Sequence, residues 1–155
     1  MTDRSVTHAT FTIERTYSAA PARVFKAFAD LESKKAWFKG PPEWEHLGHT
    51  LDFRVGGREV ERGGPKEGPV HAFDAIYLDI VPDQRIVFAY DMHLGDRRIS
   101  VSLTTVVMEP AGKGTKLTFT EQGAFLDGWD RPADREQGTQ GLLDALGAYL
   151  GGPAA

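Results

Sequence analysis

Glu121 stands where a side chain can do chemistry. It follows Leu117 and Phe119 at two-residue spacing, so in an extended strand the three side chains share one face. A carboxyl on an apolar face is protonated or paired, because a lone ionised carboxylate is costly to bury. Such a group can anchor the polar end of a ligand or serve as a general acid. Arg58 and His71 are its candidate partners. The plainer alternative is a strand-end carboxylate in solvent.

Three other sets compete. Asp91 and His93 are two apart and share a strand face, where a carboxylate orients an imidazole and raises its pKa, as general-base catalysis requires. Phe88, Tyr90 and Met92 have the opposite parity and claim the interior, which leaves Asp91 and His93 as a surface pair. Tyr77 shares parity with His71, Phe73 and Asp79. Inside a cavity its hydroxyl can fix a ligand's polar end, but the other parity (Ala72, Ile76, Leu78, Ile80) is more apolar and competes for the inner face. His46 and His49 are three apart, which on a strand sends them to opposite faces, so no shared metal ion is expected.

The rest of the composition narrows the chemistry. There is no cysteine, which excludes disulfides, thiolate metal sites and cysteine nucleophiles. No Gly-x-Ser-x-Gly elbow and no phosphate-cradling loop ending in Lys-Ser/Thr occurs, so no nucleotide or other cofactor is expected. The 18 basic and 22 acidic residues give a net charge of -4 without a basic cluster, so nucleic acid is not an expected partner. The start, Met1-Thr-Asp-Arg-Ser-Val, lacks a secretory pattern, and no apolar run approaches the ~20 residues that span a bilayer. The expectation is a cytoplasmic protein without a membrane span.

These side chains need elements to hold them. The 155 residues suit one domain with an ordered core over about residues 10–150, able to bury roughly two thirds of its unfolded surface without staples. Thr10 to Tyr17 reads as a strand. Pro21 opens a helix carrying Val24, Phe25 and Phe28, and Asp30 caps a second short one ending near Trp37 and Phe38. Gly40-Pro41-Pro42 stops it. From Glu43 the period is two, with Leu51, Phe53 and Val55 on one face. Gly56-Gly57 turns into a polar strand over 58–62, and 63–69 reads as a loop. Strands follow over 70–80 and 85–94, the first ending in a type I turn with Pro82 second. Gly95-Asp96 makes a two-residue hairpin loop. Ile99, Val101, Leu103, Thr105 and Val107 alternate with Ser100, Ser102 and Thr104, which predicts a strand with an apolar inner face. A last strand covers 115–121.

Asp130 and Pro132 then start a long helix. Gly138, Leu142, Ala145 and Tyr149, flanked by Leu143, Leu146 and Leu150, form its apolar stripe, and Gly151-Gly-Pro153 ends it. A stripe that wide must lie on the sheet. Gly138, Gly141 and Gly147 within it signal either close backbone approach or room for a ligand. Trp37, Phe38, Phe125 and Trp129 fall at helix ends or in loops, where aromatics line a pocket mouth. Phe53, Phe88, Tyr90 and Met92 are expected in its walls, as are Val101, Leu103 and Phe119, with Leu142 closing it from the helix.

Ser18-Ala-Ala-Pro21-Ala-Arg-Val24-Phe25, Trp37-Phe38, Asp52-Phe-Arg-Val-Gly-Gly-Arg58, Tyr77-Leu-Asp-Ile-Val-Pro82-Asp-Gln-Arg85-Ile-Val-Phe88 and Thr118-Phe-Thr-Glu121-Gln-Gly123 together form a recognisable pattern. Over Thr10 to Leu150 the chain resembles the START-like SRPBCC superfamily, the fold of the birch pollen allergen. Within it, the chain is similar to the branch related to the C-terminal domain of the heat-shock-protein 90 ATPase activator, whose bacterial members are often polyketide-cyclase-like. The resemblance implies an α+β helix-grip fold: a curved antiparallel sheet of about seven strands around a long C-terminal helix, with two short helices after the first strand. It also implies a site for a small hydrophobic molecule. It assigns no catalytic residue, because the family shares a cavity rather than a catalytic constellation. Three functions follow as expectations: a binder of a lipid-like, aromatic or polyketide-like ligand; a cyclase, dehydratase or hydrolase on such a substrate; or a chaperone-associated interaction domain. A monomer or an edge-strand homodimer fits each.

Overall fold

The computed structural model describes residues 4–151. The elements run β1 (Val6–Tyr17), α1 (Pro21–Ala29), α2 (Leu31–Trp37), β2 (Glu45–Leu51), β3 (Arg58–Gly64), β4 (His71–Val81), β5 (Arg85–Leu94), β6 (Arg97–Ala111), β7 (Gly114–Leu126) and α3 (Pro132–Tyr149). The strands form one sheet in the order β1-β7-β6-β5-β4-β3-β2. Every neighbouring pair is antiparallel. This is the α+β helix-grip architecture, a curved seven-stranded sheet with two short helices after the first strand and one long helix at the end. Among the described residues no helix is long and apolar enough to cross a membrane.

Local chemistry explains the breaks. Pro21 occupies the first turn of α1, where a missing N–H costs nothing. Asp30 ends α1 and caps α2, its carboxylate accepting from the Ser33 N–H at 3.1 Å. Several expected boundaries move. β1 starts at Val6 because it pairs with β7 over its whole length, from Val6↔Leu126 to Tyr17↔Thr115. β7 therefore runs past Glu121 to Leu126 and takes Phe125 into the strand. β2 ends at Leu51, and Val55 is left exposed in the following turn. Asp83 has a φ of 63°, which a type I turn lacks, so the Pro82 turn is of type II character. Arg131, not Asp130, is the N-cap of α3; Asp130 instead accepts from Arg131 N–H and from the Arg135 guanidinium. Gly151 follows α3 with a φ of 102°. Met1 to Asp3 and Gly152-Pro153 lie outside the described residues.

The largest correction concerns β6. Its inward row is Ser100, Ser102 and Thr104, each at most 2% exposed, whereas Val101 and Leu103 are 44% and 38% exposed. A bulge opposite Met92 and His93 places Ile99 in the interior beside Ser100 and resets the parity. Within this row Ser100 and Thr104 serve the buried charged groups beneath the helix, bonding Arg135 and Glu121.

The core lies on the concave side. Leu143, Leu146 and Leu150 of α3 pack with Phe11, Ile13 and Tyr17 of β1 and with Val24 and Phe28 of α1.

Candidate ligand cavity

Three glycines mark how α3 lies. At Gly147 the helix closes on β1: a Cβ there would sit 3.1 Å from the Tyr17 ring. Tyr17 Oη also donates to the Leu143 carbonyl at 2.7 Å. At Gly138 and Gly141 a Cβ would meet nothing within 4 Å. The helix thus packs closely on β1 at its C-terminal half, while Gly138 and Gly141 are exposed at the cavity's edge. Between it, α2, the 38–44 segment and the sheet lies a cavity of about 790 Å³, within the range of small-molecule sites.

Phe73 and Phe88 line the floor with Tyr90, Met92, Ile99 and Phe119; Trp37 and Phe38 line one wall, and Leu142 and Leu143 the other. Exposed Pro41, Pro42 and Trp129 rim it, and Trp44 stacks on His71 with ring centres 4.4 Å apart. Five residues expected in the walls lie elsewhere. Val101 and Leu103 face out for the reason given above. Phe53 packs between Phe25 and Tyr77, 5.5 and 4.9 Å away by ring centre. Tyr77 is inside the sheet, 1% exposed, but belongs to a polar cluster beside the cavity. Phe125 is covered by the Arg135 guanidinium, 5.2 Å from its ring.

Glu121 lines the cavity at 2% exposure. Its Oε1 accepts from Tyr90 Oη at 2.9 Å and Thr104 Oγ1 at 3.2 Å. Its Oε2 lies 3.7 Å from Arg135 Nη1 and has no hydrogen bond among the described residues. Arg58 and His71, the expected partners, are not used: Arg58 pairs with Asp74 at 2.7 Å on an exposed face, and His71 stacks on Trp44. Arg135, one helical turn into α3, is the partner instead. It also donates to Tyr90 Oη, Ser100 Oγ and Asp130 Oδ2 at 3.0, 2.8 and 2.7 Å. Burial pushes the Glu121 carboxyl above the usual carboxylate range, against the opposing pull of Arg135 and the hydrogen bonds. The Tyr90 hydroxyl is likewise raised by burial and by Glu121.

A second polar cluster was not foreseen from sequence. Lys34 on α2 is 2% exposed, and its Nζ lies 2.6 Å from Glu59 Oε1. It also donates to Tyr77 Oη at 3.3 Å. Tyr77 Oη in turn donates to Glu59 Oε1 at 2.5 Å, and His49 Nε2 lies 2.6 Å from Glu59 Oε2. Burial alone would raise the Glu59 carboxyl, but the Lys34 charge and the hydrogen bonds from His49, Lys34 and Tyr77 outweigh it and hold it at about 2. A carboxylate only accepts, so His49 Nε2 carries the proton of that bond. The ammonium also sits 4.7 Å from the Phe38 ring centre and 5.9 Å from those of Phe28, Phe73 and Phe88. The one signal for it was that Lys34 shares a helix face with Trp37 and Phe38.

The remaining candidates separate. His46 is exposed and His49 buried, on either side of a bulge. Asp91 and His93 lie on the outer face, 3.4 Å apart, and Asp91 also pairs with Arg98. Among the described residues no group of three or more potential ligands is placed to hold a metal ion.

The comparisons with known proteins bear on the family and the fold. Residues 18–151 match the family described as Activator of Hsp90 ATPase homolog 1-like protein. A solved structure from Rhizobium leguminosarum is 49% identical, with 97% of this chain and 99% of that one covered and a TM-score of 0.92. One from Rhizobium loti is 53% identical over 94% and 99%, with a TM-score of 0.86. One from Chromobacterium violaceum is 30% identical over 91% and 96%, with a TM-score of 0.74. No curated protein matches the chain.

Proposed function

The chain belongs to the Activator of Hsp90 ATPase homolog 1-like family, and from that premise we propose that it binds one small hydrophobic molecule, aromatic or lipid-like, in the cavity beneath α3. One observation carries the reading. About 790 Å³ of space lies between α3, α2 and the sheet, lined by Phe73, Phe88, Met92, Phe119 and Leu142. The walls are mainly aromatic and aliphatic, with a few convergent polar groups, which is the composition of a small-molecule site.

The test compares wild type with Leu142→Trp, which enlarges a half-buried side chain that lines the cavity. N-phenyl-1-naphthylamine fluorescence should rise saturably with one site per chain in wild type. The variant should keep its circular dichroism spectrum and bind the dye at least about tenfold more weakly. Equal binding by the two proteins, or none by wild type, overturns the proposal.

A second reading, an enzyme of cyclase, dehydratase or hydrolase type on such a molecule, draws on Glu121. A buried carboxyl kept toward its neutral form beside Tyr90 has the character of a general acid. Turnover that survives Glu121→Gln removes Glu121 from any mechanism. The chaperone-ATPase activation in the family's description belongs to the protein so described; the cavity supports the binding reading.

A further inference from the structure

The carboxylates that line the cavity are Glu61, Glu121, Asp130 and Asp134. Glu121 is sealed in the wall with Arg135 at 3.7 Å, Asp130 is held by the same arginine at 2.7 Å, and Asp134 by Arg131 at 3.1 Å. Glu61 on β3 differs. Its side chain is 16% exposed, and its oxygens are open to solvent without accepting a hydrogen bond among the described residues. His46 Nδ1 lies 3.8 Å away, beyond hydrogen-bond range. The cations of the wall offer less to an anion. Lys34 is spent on Glu59 at 2.6 Å, and Lys39 is exposed just past α2, where water screens its charge.

Rings surround the Glu61 carboxyl. In the sheet Glu61 stands between His49 on β2 and Phe73 on β4. The Phe38 ring centre is 5.9 Å from that of His49 and 5.0 Å from that of Phe73, so Phe38 spans the row that Glu61 occupies. Glu61 Oε1 lies near Gly63, where a Cβ would be 3.7 Å from it. Gly63 is paired with His71, which carries the Trp44 stack. Phe38, Trp44, His71 and Gly63 all line the cavity. The protein already places one alkylammonium among these rings: Lys34 Nζ is 4.7 Å from the Phe38 centre, with Glu59 as its counter-ion.

We propose that the cavity takes an organic cation, an apolar body with a quaternary ammonium head set between Glu61 and the faces of Phe38 and Trp44. This rests on the ligand-binding reading and adds the chemistry of the head group. A primary ammonium brings N–H groups that one carboxylate cannot all satisfy. A quaternary head brings none, so ring faces and one negative charge are its complement. Burial pushes the Glu61 carboxyl up, and His49 and Lys34 pull against it. A bound cation adds to that pull and keeps the carboxyl ionised.

Three probes of one shape compete with N-phenyl-1-naphthylamine at neutral pH: (2-naphthylmethyl)trimethylammonium, its carbon isostere 2-neopentylnaphthalene, and 2-naphthylmethanesulfonate. In wild type the cation should bind about tenfold or more tighter than either analogue. The preference should persist at ~1 M salt, which screens attraction to the chain's net charge of -4. Glu61→Gln should keep the dye and the isostere and lose most of the cation's advantage. Trp44→Leu should lower the ratio of cation to isostere affinity. The head-group inference is overturned, with ligand binding left standing, by equal affinities for cation and isostere in wild type, by the sulfonate as tightest probe, or by a preference that vanishes at high salt. An unchanged preference in either variant, or a bound dye that no probe displaces, overturns it equally. A dye that does not bind wild type overturns the binding reading and this inference with it.

Discussion

Tyr90 on β5 reaches across β6 to donate to Glu121 on β7 at 2.9 Å. The intervening strand permits this because its inward residues are Ser100, Ser102 and Thr104, too short to fill the space between. Arg135 then closes the group from α3, bonding Tyr90 and Ser100. The polar end of the cavity is thus a property of three strands and one helix together.

Lys34 and Glu59 form the other polar end, and the pair should be strongly non-additive. Lys34→Met strands a buried carboxylate and should cost about 3–5 kcal/mol. Lys34→Met with Glu59→Gln should recover a large part of that loss. Urea unfolding of wild type, both single variants and the double variant gives the coupling energy; additive losses would contradict the geometry.

Glu59 should dominate acid sensitivity. Its folded value of about 2 lies below the ordinary 4.5, so the folded state binds fewer protons than the unfolded state in that window. Its contribution is present above the unfolded value and is lost as pH falls from about 4.5 toward about 2. Glu121, with its raised value, acts in the opposite sense: its contribution is present below the ordinary carboxylate range and is lost as pH rises toward the folded value. Stability curves of Glu59→Gln and Glu121→Gln against wild type should flatten on opposite sides of the ordinary carboxylate range.

Two glycines in one helix should respond with opposite signs. Gly141→Ala adds a methyl into open space and should stabilise by up to about 1 kcal/mol through helix propensity. Gly147→Ala places its Cβ 3.1 Å from the ring of Tyr17, which is buried and tethered to the Leu143 carbonyl. That variant should melt below wild type. Equal shifts in Tm would contradict the close approach of Gly147 to Tyr17.

All three tryptophans of the chain, Trp37, Trp44 and Trp129, line the cavity. Occupancy should therefore change intrinsic fluorescence even for a ligand with no absorbance of its own. Trp44→Phe and Trp129→Phe should each remove part of the change, leaving the part due to buried Trp37. A saturating ligand that leaves emission untouched would place binding elsewhere.

Element order was legible because turn residues and periods are local signals. Pro21, Asp30, the Gly95-Asp96 hairpin and the spacing of Leu143, Leu146 and Leu150 each act within a few residues. Strand parity put Phe88, Tyr90 and Phe119 on one side of the sheet, and all three line the cavity, whereas Phe53, Tyr77 and Phe125 do not. Facing was harder. Alternation in β6 marks two faces but does not say which is inside, and the bulge at Ile99 and the demands of Arg135 decided it. The partners of Glu121 and the Lys34 cluster were hidden because they are set by strands far apart in sequence. His49 and Glu59, Lys34 and Glu59, and Tyr90 and Glu121 are separated by 10, 25 and 31 positions.

The most direct measurement is methyl-resolved NMR of the protein titrated with 2-acetylnaphthalene, read through intermolecular nuclear Overhauser effects. Contacts from the probe to the methyls of Met92, Ile99 and Leu142, with none to Val101 or Leu103, are the predicted result. Contacts confined to Val101 and Leu103, or the absence of any contact at saturation, would contradict a ligand beneath α3.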